Sequence, residues 1–283
     1  MSALAGLDLH VPRGAVYGFL GPNGAGKTTA VKLLLGLGRP TSGEAWVLGA
    51  PAGAREARRR VGYLPELFRY QHWLTAREVL ALHCALVAMP RDGWPRAIGA
   101  ALVTVGLDGR EDGRVGTFSK GMQQRLGLAV ALLGEPKLVL LDEPTSALDP
   151  VGRHDVREII RDLRSRGVTV FLNSHLLTEV ELVCDRVAIV NKGRVVTEGT
   201  LDGILGTDEA RVRVTGVDAP AALAPFGTVS RAGEWLAVRG VAPDRVPDLV
   251  AALVAAGGRV HAVEPRRGTL EERFLELLGE PAS

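Results

Sequence analysis

Residues 21–28 read GPNGAGKT; the apolar run AVYGFL (15–20) precedes them, and KTTAVKLLLG continues from Lys27 with apolar residues at helical spacing. The octet fits G-x-x-x-x-G-K-[ST], and a position between a strand and a helix is the context that gives this motif its meaning. Glycines there let backbone N–H groups turn inward around phosphate oxygens, and the helix N-terminus adds its positive end. A glycine-rich turn without a ligand is the plain alternative, and the complete motif in its complete context argues against it. Gly21, Pro22, Asn23, Gly24, Ala25, Gly26, Lys27, Thr28 and Thr29 are therefore the candidate binding residues for a nucleoside triphosphate. Lys27 is expected to reach the β- and γ-phosphates and the Thr28 hydroxyl to hold Mg²⁺.

Two further short apolar runs, KLVLL (137–141) and VTVFL (168–172), read like the first as strands buried on both faces of a parallel sheet. Helical patterns alternate with them. After KLVLL comes DEPTSALDP and then VGRHDVREIIRDLRSRG, in which Asp149 and Pro150 open a helix and Gly167 closes it. This is the rhythm of an open, doubly wound α/β domain. An insertion at about 67–136 is helical in pattern: Thr75 with Glu78 forms a capping box ahead of VLALHCALVAM, and WPRAIGAALVTVGL reads as another helix. The segment RVAIVNKGRVVTEG (186–199) reads as a closing hairpin about its NKG turn. From residue 206 lysine disappears and a separate α+β module is expected over 206–283, with strands at ARVRVTGV, GTVSR, EWLAVRGV and RVHAVEP and helices at VPDLVAALVAAGG and TLEERFLELLG.

In open α/β sheets ligands gather at the carboxyl ends of the strands. Asp142 and Glu143, ending KLVLLDEP, thus arrive beside the glycine-rich loop, where Asp142 can order the Mg²⁺ shell and Glu143 can orient the attacking water and take its proton. His175, in VTVFLNSH, reaches the same rim and could donate to the γ-phosphate. A helix-starting acidic pair and a structural histidine are the plain alternatives, and the convergence of three strand ends on one rim outweighs them.

Composition narrows the classes. The 283 residues suffice for one large domain and a small one, and a net charge of +2 is too balanced for a chain that lives on nucleic acid, so no nucleic-acid partner is expected. The basic run REARRR (55–60) reads as a solvated face, and Cys84 and Cys184 read as core residues in a reducing cytosol. Asp8 and His10 interrupt any secretory apolar region, and no run approaches the roughly 18 apolar residues of a membrane span. If the protein serves a membrane, another chain spans it.

The stretch FSKGMQQR (118–125) separates this chain from other phosphate-loop ATPases. Ser119 reads as a helix N-cap with free N–H groups beyond it, mounted by a buried stripe of Met122, Leu126, Val130 and Leu133. The stretch resembles the signature of the ATP-binding cassette family, Leu-Ser-Gly-Gly-Gln followed by an amide-rich, basic helix start. Ser119, Gly121, Gln124 and Arg125 match, Phe118 replaces the leucine, and Lys120 and Met122 depart. SALD (146–149) resembles the family's D-loop, which brings Asp149 to the nucleotide, and His175 resembles its switch histidine. Over residues 1–205 the resemblance implies a phosphate-loop cassette with a helical subdomain, followed by the small C-terminal α+β domain. It implies an ATPase working with Mg²⁺ as a head-to-tail homodimer, in which Ser119 and the N–H groups near Gly121 cap the phosphate held by the partner's Lys27.

Two departures qualify the resemblance. Glu66 stands where the family usually has glutamine after the strand resembled by VGYLP. Ionised, it only accepts hydrogen bonds, and it is retained here as a metal-shell and permease-coupling residue. Only 20 residues precede the loop, with no aromatic where the family stacks one on adenine, which implies either a truncated start or weaker base recognition. The tail GTLEERFLELLG, with Lys120, Met122 and YLPE, resembles exporters of drugs and antibiotics whose permease is encoded separately. Such a subunit would be cytoplasmic, held on the inner face of the membrane through that permease. A soluble cassette acting on ribosomes or DNA, and a nucleotide-sensing module with weak ATPase, are the competing readings.

Overall fold

The computed structural model describes residues 3–67, 69–205, 209–266 and 268–278. It divides into two compact units between Gly199 and Thr200, a few residues before the expected boundary at 205/206; Gly206 itself lies outside the described residues.

The first unit runs β1 (Val16–Leu20), α1 (Lys27–Leu34), β2 (Trp46–Val47), β3 (Ala50–Pro51), α2 (Arg55–Arg58), β4 (Val61–Leu64), α3 (Ala76–Leu86), α4 (Trp94–Thr104), α5 (Lys120–Leu132), β5 (Leu138–Asp142), α6 (Pro150–Ser165), β6 (Thr169–Asn173), α7 (Leu177–Val183), β7 (Arg186–Asn191) and β8 (Arg194–Thr200). Its main sheet has the order β4-β5-β6-β1-β7-β8, with parallel pairing from β4 through β7. Every residue of β1, β5 and β6 is buried, as continuous apolar runs require when helices cover both faces. The chain turns back into β8 at Lys192 and Gly193, whose φ values of 48° and 74° suit a tight hairpin turn. Inside the sheet Phe171 stacks on Tyr17 with ring centroids 5.9 Å apart and tilts against Phe19 at 5.2 Å.

Local signals act where the sequence places them. Thr75 and Glu78 form a reciprocal capping box on α3, and Asp149 caps α6 by accepting from Gly152 N at 2.8 Å. Arg55, Arg58, Arg59 and Arg60 are exposed around a buried Ala57, a solvated face as expected, and both cysteines are buried and free. Among described residues of 67–136 the regular structure is helical, apart from one isolated bridge between Thr75 and Arg114. The expected apolar stripe on α5 needs correction. Leu126 and Leu133 are buried, but Met122 and Val130 are only half-buried, while Gln124, Gly127, Leu128, Ala129 and Ala131 are buried. The helix packs on α3, α4 and β4 together, so its covered surface is far wider than one stripe.

The second unit contains α8 (Leu201–Leu205), β9 (Glu209–Thr215), α9 (Ala219–Leu223), β10 (Thr228–Ala232), β11 (Trp235–Arg239), α10 (Val246–Ala255), β12 (Arg259–Arg266) and α11 (Leu270–Leu278). From β9 to β12 this is a β-α-β-β-α-β succession on an antiparallel sheet of order β10-β11-β9-β12. Its core joins Val212, Leu236 and Val238 of the sheet to Leu223, Leu249 and Leu253 of the helices.

The packing of α5 on β4 depends on Gly62. A Cβ at that position would stand 1.8 Å from the backbone oxygen of Ala131 on α5. Gly62→Ala is expected to destabilise the protein by at least about 2 kcal/mol, lowering Tm by roughly 4–8 °C for a unit of this size. Calorimetry of the variant would measure it, and an unchanged Tm would contradict this packing.

Candidate functional site

The glycine-rich loop joins the end of β1 to the start of α1. Gly24 and Gly26 take φ values of 80° and 101°, a region that glycine occupies without steric cost. Gly21 is restricted differently, since a Cβ there would lie 2.3 Å from the oxygen of Val190. No side chain caps α1, so its first N–H groups remain for an anion. The Lys27 ammonium donates to the carbonyls of Gly21 at 2.7 Å and Pro22 at 3.2 Å. Burial lowers its pKa, opposed by the nearby charges of Glu143, Asp142 and Glu66.

The acidic side of the site comes from β5 and β6, which run in register. Asp142 pairs with Asn173, and Asn173 with Phe19 of β1, so three strand ends lie in one row. Asp142 is 3 % exposed, and its Oδ1 accepts from Asn173 Nδ2 at 2.5 Å. Burial raises its pKa; the Asn173 hydrogen bond and Lys27 act against this, while Glu66 and Glu143 add to it.

Glu143 follows with φ 53°, a left-handed conformation costing a non-glycine residue about 1–2 kcal/mol. Its N–H donates to the Asn173 carbonyl at 2.9 Å, and its Oε1 accepts from His175 N at 2.9 Å. The imidazole Nδ1 of His175 stands 2.8 Å from Oε2, an ion pair when the ring is protonated. Among the described residues neither Glu143 Oε2 nor Asn173 Oδ1, both buried, accepts a hydrogen bond.

These groups line a cleft of about 670 Å³ bounded by Ala3, Asn23, Gly24, Gly26, Lys27, Thr28, Thr29, Glu66, Glu143, Asn173 and His175, a volume in the range of small-molecule sites. Gly21, Pro22, Ala25 and the buried Asp142 are not among the lining residues. Glu66, exposed just beyond β4, lies on the rim. Ser119, Gly121 and Asp149 are not among the lining residues. They stand together elsewhere: Ser119 caps α5 by accepting from Met122 N at 3.2 Å, and Gly121 lies beside Ala147 and Leu148 of the SALD segment. Sequence reasoning missed Asn173, and it read Gln124 only as a match to the family signature, not as a buried residue bonded to the turn of Glu143. A polar residue closing an otherwise apolar strand beside Asp142 was the available signal for Asn173.

The hydroxyl of Thr28 and the carboxylates of Glu66 and Asp142 are hard oxygen donors, the kind that Mg²⁺ takes together with water and phosphate oxygens. The two buried acceptors, which take no hydrogen bond from the described residues, are groups that an ordered water would satisfy.

Comparison with known proteins follows this geometry. A family model described as ABC transporter matches residues 4–146. The chain is 40 % identical over 287 residues to an ABC transporter ATP-binding protein of Nostoc sp. (strain PCC 7120), covering 98 % of this chain and 83 % of that protein. It is 42 % identical over 199 residues to the bacitracin transport ATP-binding protein BcrA of Bacillus licheniformis, covering 69 % and 64 %. With the Nod factor export ATP-binding protein I of Burkholderia orbicola it shares 36 % identity over 288 residues, covering 97 % and 91 %. Among solved structures, the ATP binding subunit of an ABC transporter superposes with TM-score 0.67 at 33 % identity, over 71 % of this chain and 85 % of that one. A dimeric ATP-binding cassette in a post-hydrolysis state, bound to ADP and Pi, superposes with TM-score 0.65 at 26 % identity, over 70 % and 90 %.

No membrane-length apolar helix occurs among the described residues.

The buried, like-charged surroundings of Asp142 carry a stability cost. Asp142→Asn removes the charge and keeps an acceptor for Asn173, so the nucleotide-free protein is expected to gain about 0.5–2 kcal/mol while Mg²⁺-dependent ATP hydrolysis is lost. Thermal unfolding without nucleotide, beside a phosphate-release assay, measures both; a destabilised variant would show that the carboxylate is compensated in the folded state.

Proposed function

Because this chain belongs to the ATP-binding cassette transporter family and is an ATPase, we propose that it powers an exporter, pairing head to tail with a second copy and acting through a separately encoded membrane permease. The observation that carries the pairing is the position of Ser119. Its helix N-terminus is built like an anion cap, yet it does not line the cleft that holds Lys27. A second copy supplies the missing cap. Export is supported by similarity to proteins named for bacitracin transport and Nod factor export. The permease would hold the subunit on the inner face of the membrane.

In this reading the loop N–H groups and Lys27 receive the phosphates, Lys27 exchanging its bonds to the Gly21 and Pro22 carbonyls for phosphate oxygens. Mg²⁺, when bound, neutralises charge developing on the phosphate oxygens. Thr28, Asp142 and Glu66 are the residues that would hold it. Glu143 takes the proton of the attacking water at Oε2, which accepts no hydrogen bond from the described residues, and His175 holds that carboxylate through its backbone N–H. Asp149, fixed at the N-cap of α6, belongs to the face that the second copy meets.

Glu143→Gln is expected to keep ATP affinity within about threefold and lower kcat at least about 100-fold, because an amide can hold the water but cannot take its proton. Turnover within threefold of wild type would remove Glu143 from the role of base.

Pairing is tested with Lys27→Ala and Ser119→Arg in heterodimers of full-length chains. With both changes on one chain, each composite site is spoiled, one lacking Lys27 and the other Ser119. Divided between the chains, both defects fall in a single site and the other stays whole. The divided heterodimer is expected to retain hydrolysis and ATP-dependent nucleotide trapping at its intact site, and the same-chain heterodimer to lose both. The reverse order would establish that Ser119 acts within its own chain.

A further inference from the structure

Gln124 carries an amide into the protein interior, where it is 3 % exposed. Its Nε2 donates to the carbonyl of Glu143 at 3.3 Å and to that of Pro144 at 3.0 Å. These are the first two carbonyls of the turn in which Glu143 adopts positive φ. A strained backbone of this kind persists only where its surroundings over-determine it.

The other restraints can be named. Asn173 O holds the Glu143 N–H, Ser146 donates to the Glu143 carbonyl from N at 3.3 Å and from Oγ at 3.1 Å, and His175 N holds Oε1. All of these come from the strands and turn around the cleft. Gln124 alone comes from α5, and among the described residues it is the donor that the Pro144 carbonyl receives. Without it that carbonyl is left unpaired next to a turn that resists its own conformation, at a cost that favours relaxation. The carboxylate would then drift from the position in which it meets water, and misplacement by about 1 Å can cost on the order of 100-fold in rate.

We propose that Gln124 is a positioning residue for Glu143, mounted on the helix whose Ser119 cap serves the other composite site. The positioning role needs only contacts within one chain; the link between two sites rests on the head-to-tail reading above. α5 bears both Ser119 at its N-cap and Gln124 in its second turn.

Heterodimers of full-length chains test this. Lys27→Ala in one chain silences the site built on that chain's loop and leaves the site built on the other chain's Lys27 and Glu143. Gln124→Met in the chain that keeps Lys27 is expected to lower kcat about tenfold or more with KM for ATP within twofold, the signature of a lost transition-state arrangement. The same change in the Lys27→Ala chain is expected to leave kcat within threefold. Gln124→Asn, which keeps the amide but draws it back by one methylene from both carbonyls, should give the same pattern and serves if the methionine variant does not fold. An unchanged kcat in the first arrangement overturns the proposal, as does a slowdown confined to the second, which would make Gln124 a support of the Ser119 cap. Ser119→Arg in the Lys27→Ala chain checks the head-to-tail reading separately, since it should abolish the remaining activity; full activity there would overturn that reading and leave the positioning of Glu143 untouched.

Discussion

The parallel register of β1, β6 and β5 is the constraint on which the site depends. Phe19 pairs with Asn173 and Asn173 with Asp142, so the three strands end level. Chain leaving those ends delivers the phosphate loop, the Asp142–Glu143 pair and His175 to one rim. A slip of one residue in any pair would turn the strand's side chains to the opposite face. The buried aromatic contact of Phe171 with Tyr17 and Phe19, joining β6 to β1, sits where such a slip would be felt most. Catalytic geometry here is a consequence of core packing.

That geometry places charges where water is scarce. Asp142 and Lys27 are both pushed toward their neutral forms by burial, the carboxyl upward and the ammonium downward. Each also feels the other as a stabilising neighbour, so neither is left alone. Glu143 adds a left-handed backbone and a buried oxygen that accepts no hydrogen bond from the described residues. Together these features describe a site held ready for a phosphate, a cation and a water, with the folding energy of the surrounding sheet sustaining the strain.

Much of this could be read from residues alone, for physical reasons. The phosphate loop was legible because its glycines answer to backbone conformation, and α3 and α6 because their caps are local hydrogen bonds three residues apart. In the second unit the four strands, α10 and α11 were legible, since alternating apolar residues and turn glycines act locally, whereas the short helices α8 and α9 were not expected. What escaped depends on partners distant in sequence. Asn173 looks like the polar end of a strand until β5 is laid beside it. Gln124 reads only as a match to the family signature until β4, α3 and α4 close around α5 and bury it against the turn of Glu143. The expected stripe through Met122 and Val130 failed for the same reason: spacing reports one covered face and cannot count the neighbours that cover others. The strand order, with β1 between β6 and β7, follows from crossovers that no local pattern encodes.

The two ends of the proposed composite site share a further property visible at the level of single residues. Of the helices described, α1 and α5 are the two that begin with lysine, Lys27 and Lys120, and neither has an acidic residue in its first turn. A cation at that position opposes the helix macrodipole, an effect of about 0.3–1 kcal/mol at an exposed end. α3 takes the opposite course, placing Glu78 in its first turn and closing a capping box with it. For α1 the unfavourable charge is explained by the triphosphate that its loop is shaped to receive. The same reasoning applies to α5, where Lys120 stands exposed beside Ser119 with no acidic residue in the helix's first turn. An anion arriving at that N-terminus would turn an opposing charge into a favourable one. Within the ATP-binding cassette arrangement, the γ-phosphate on the partner's Lys27 is an anion of the required kind, so Lys120, a departure from the family signature, strengthens the reading of Ser119 as a cap for the partner's nucleotide.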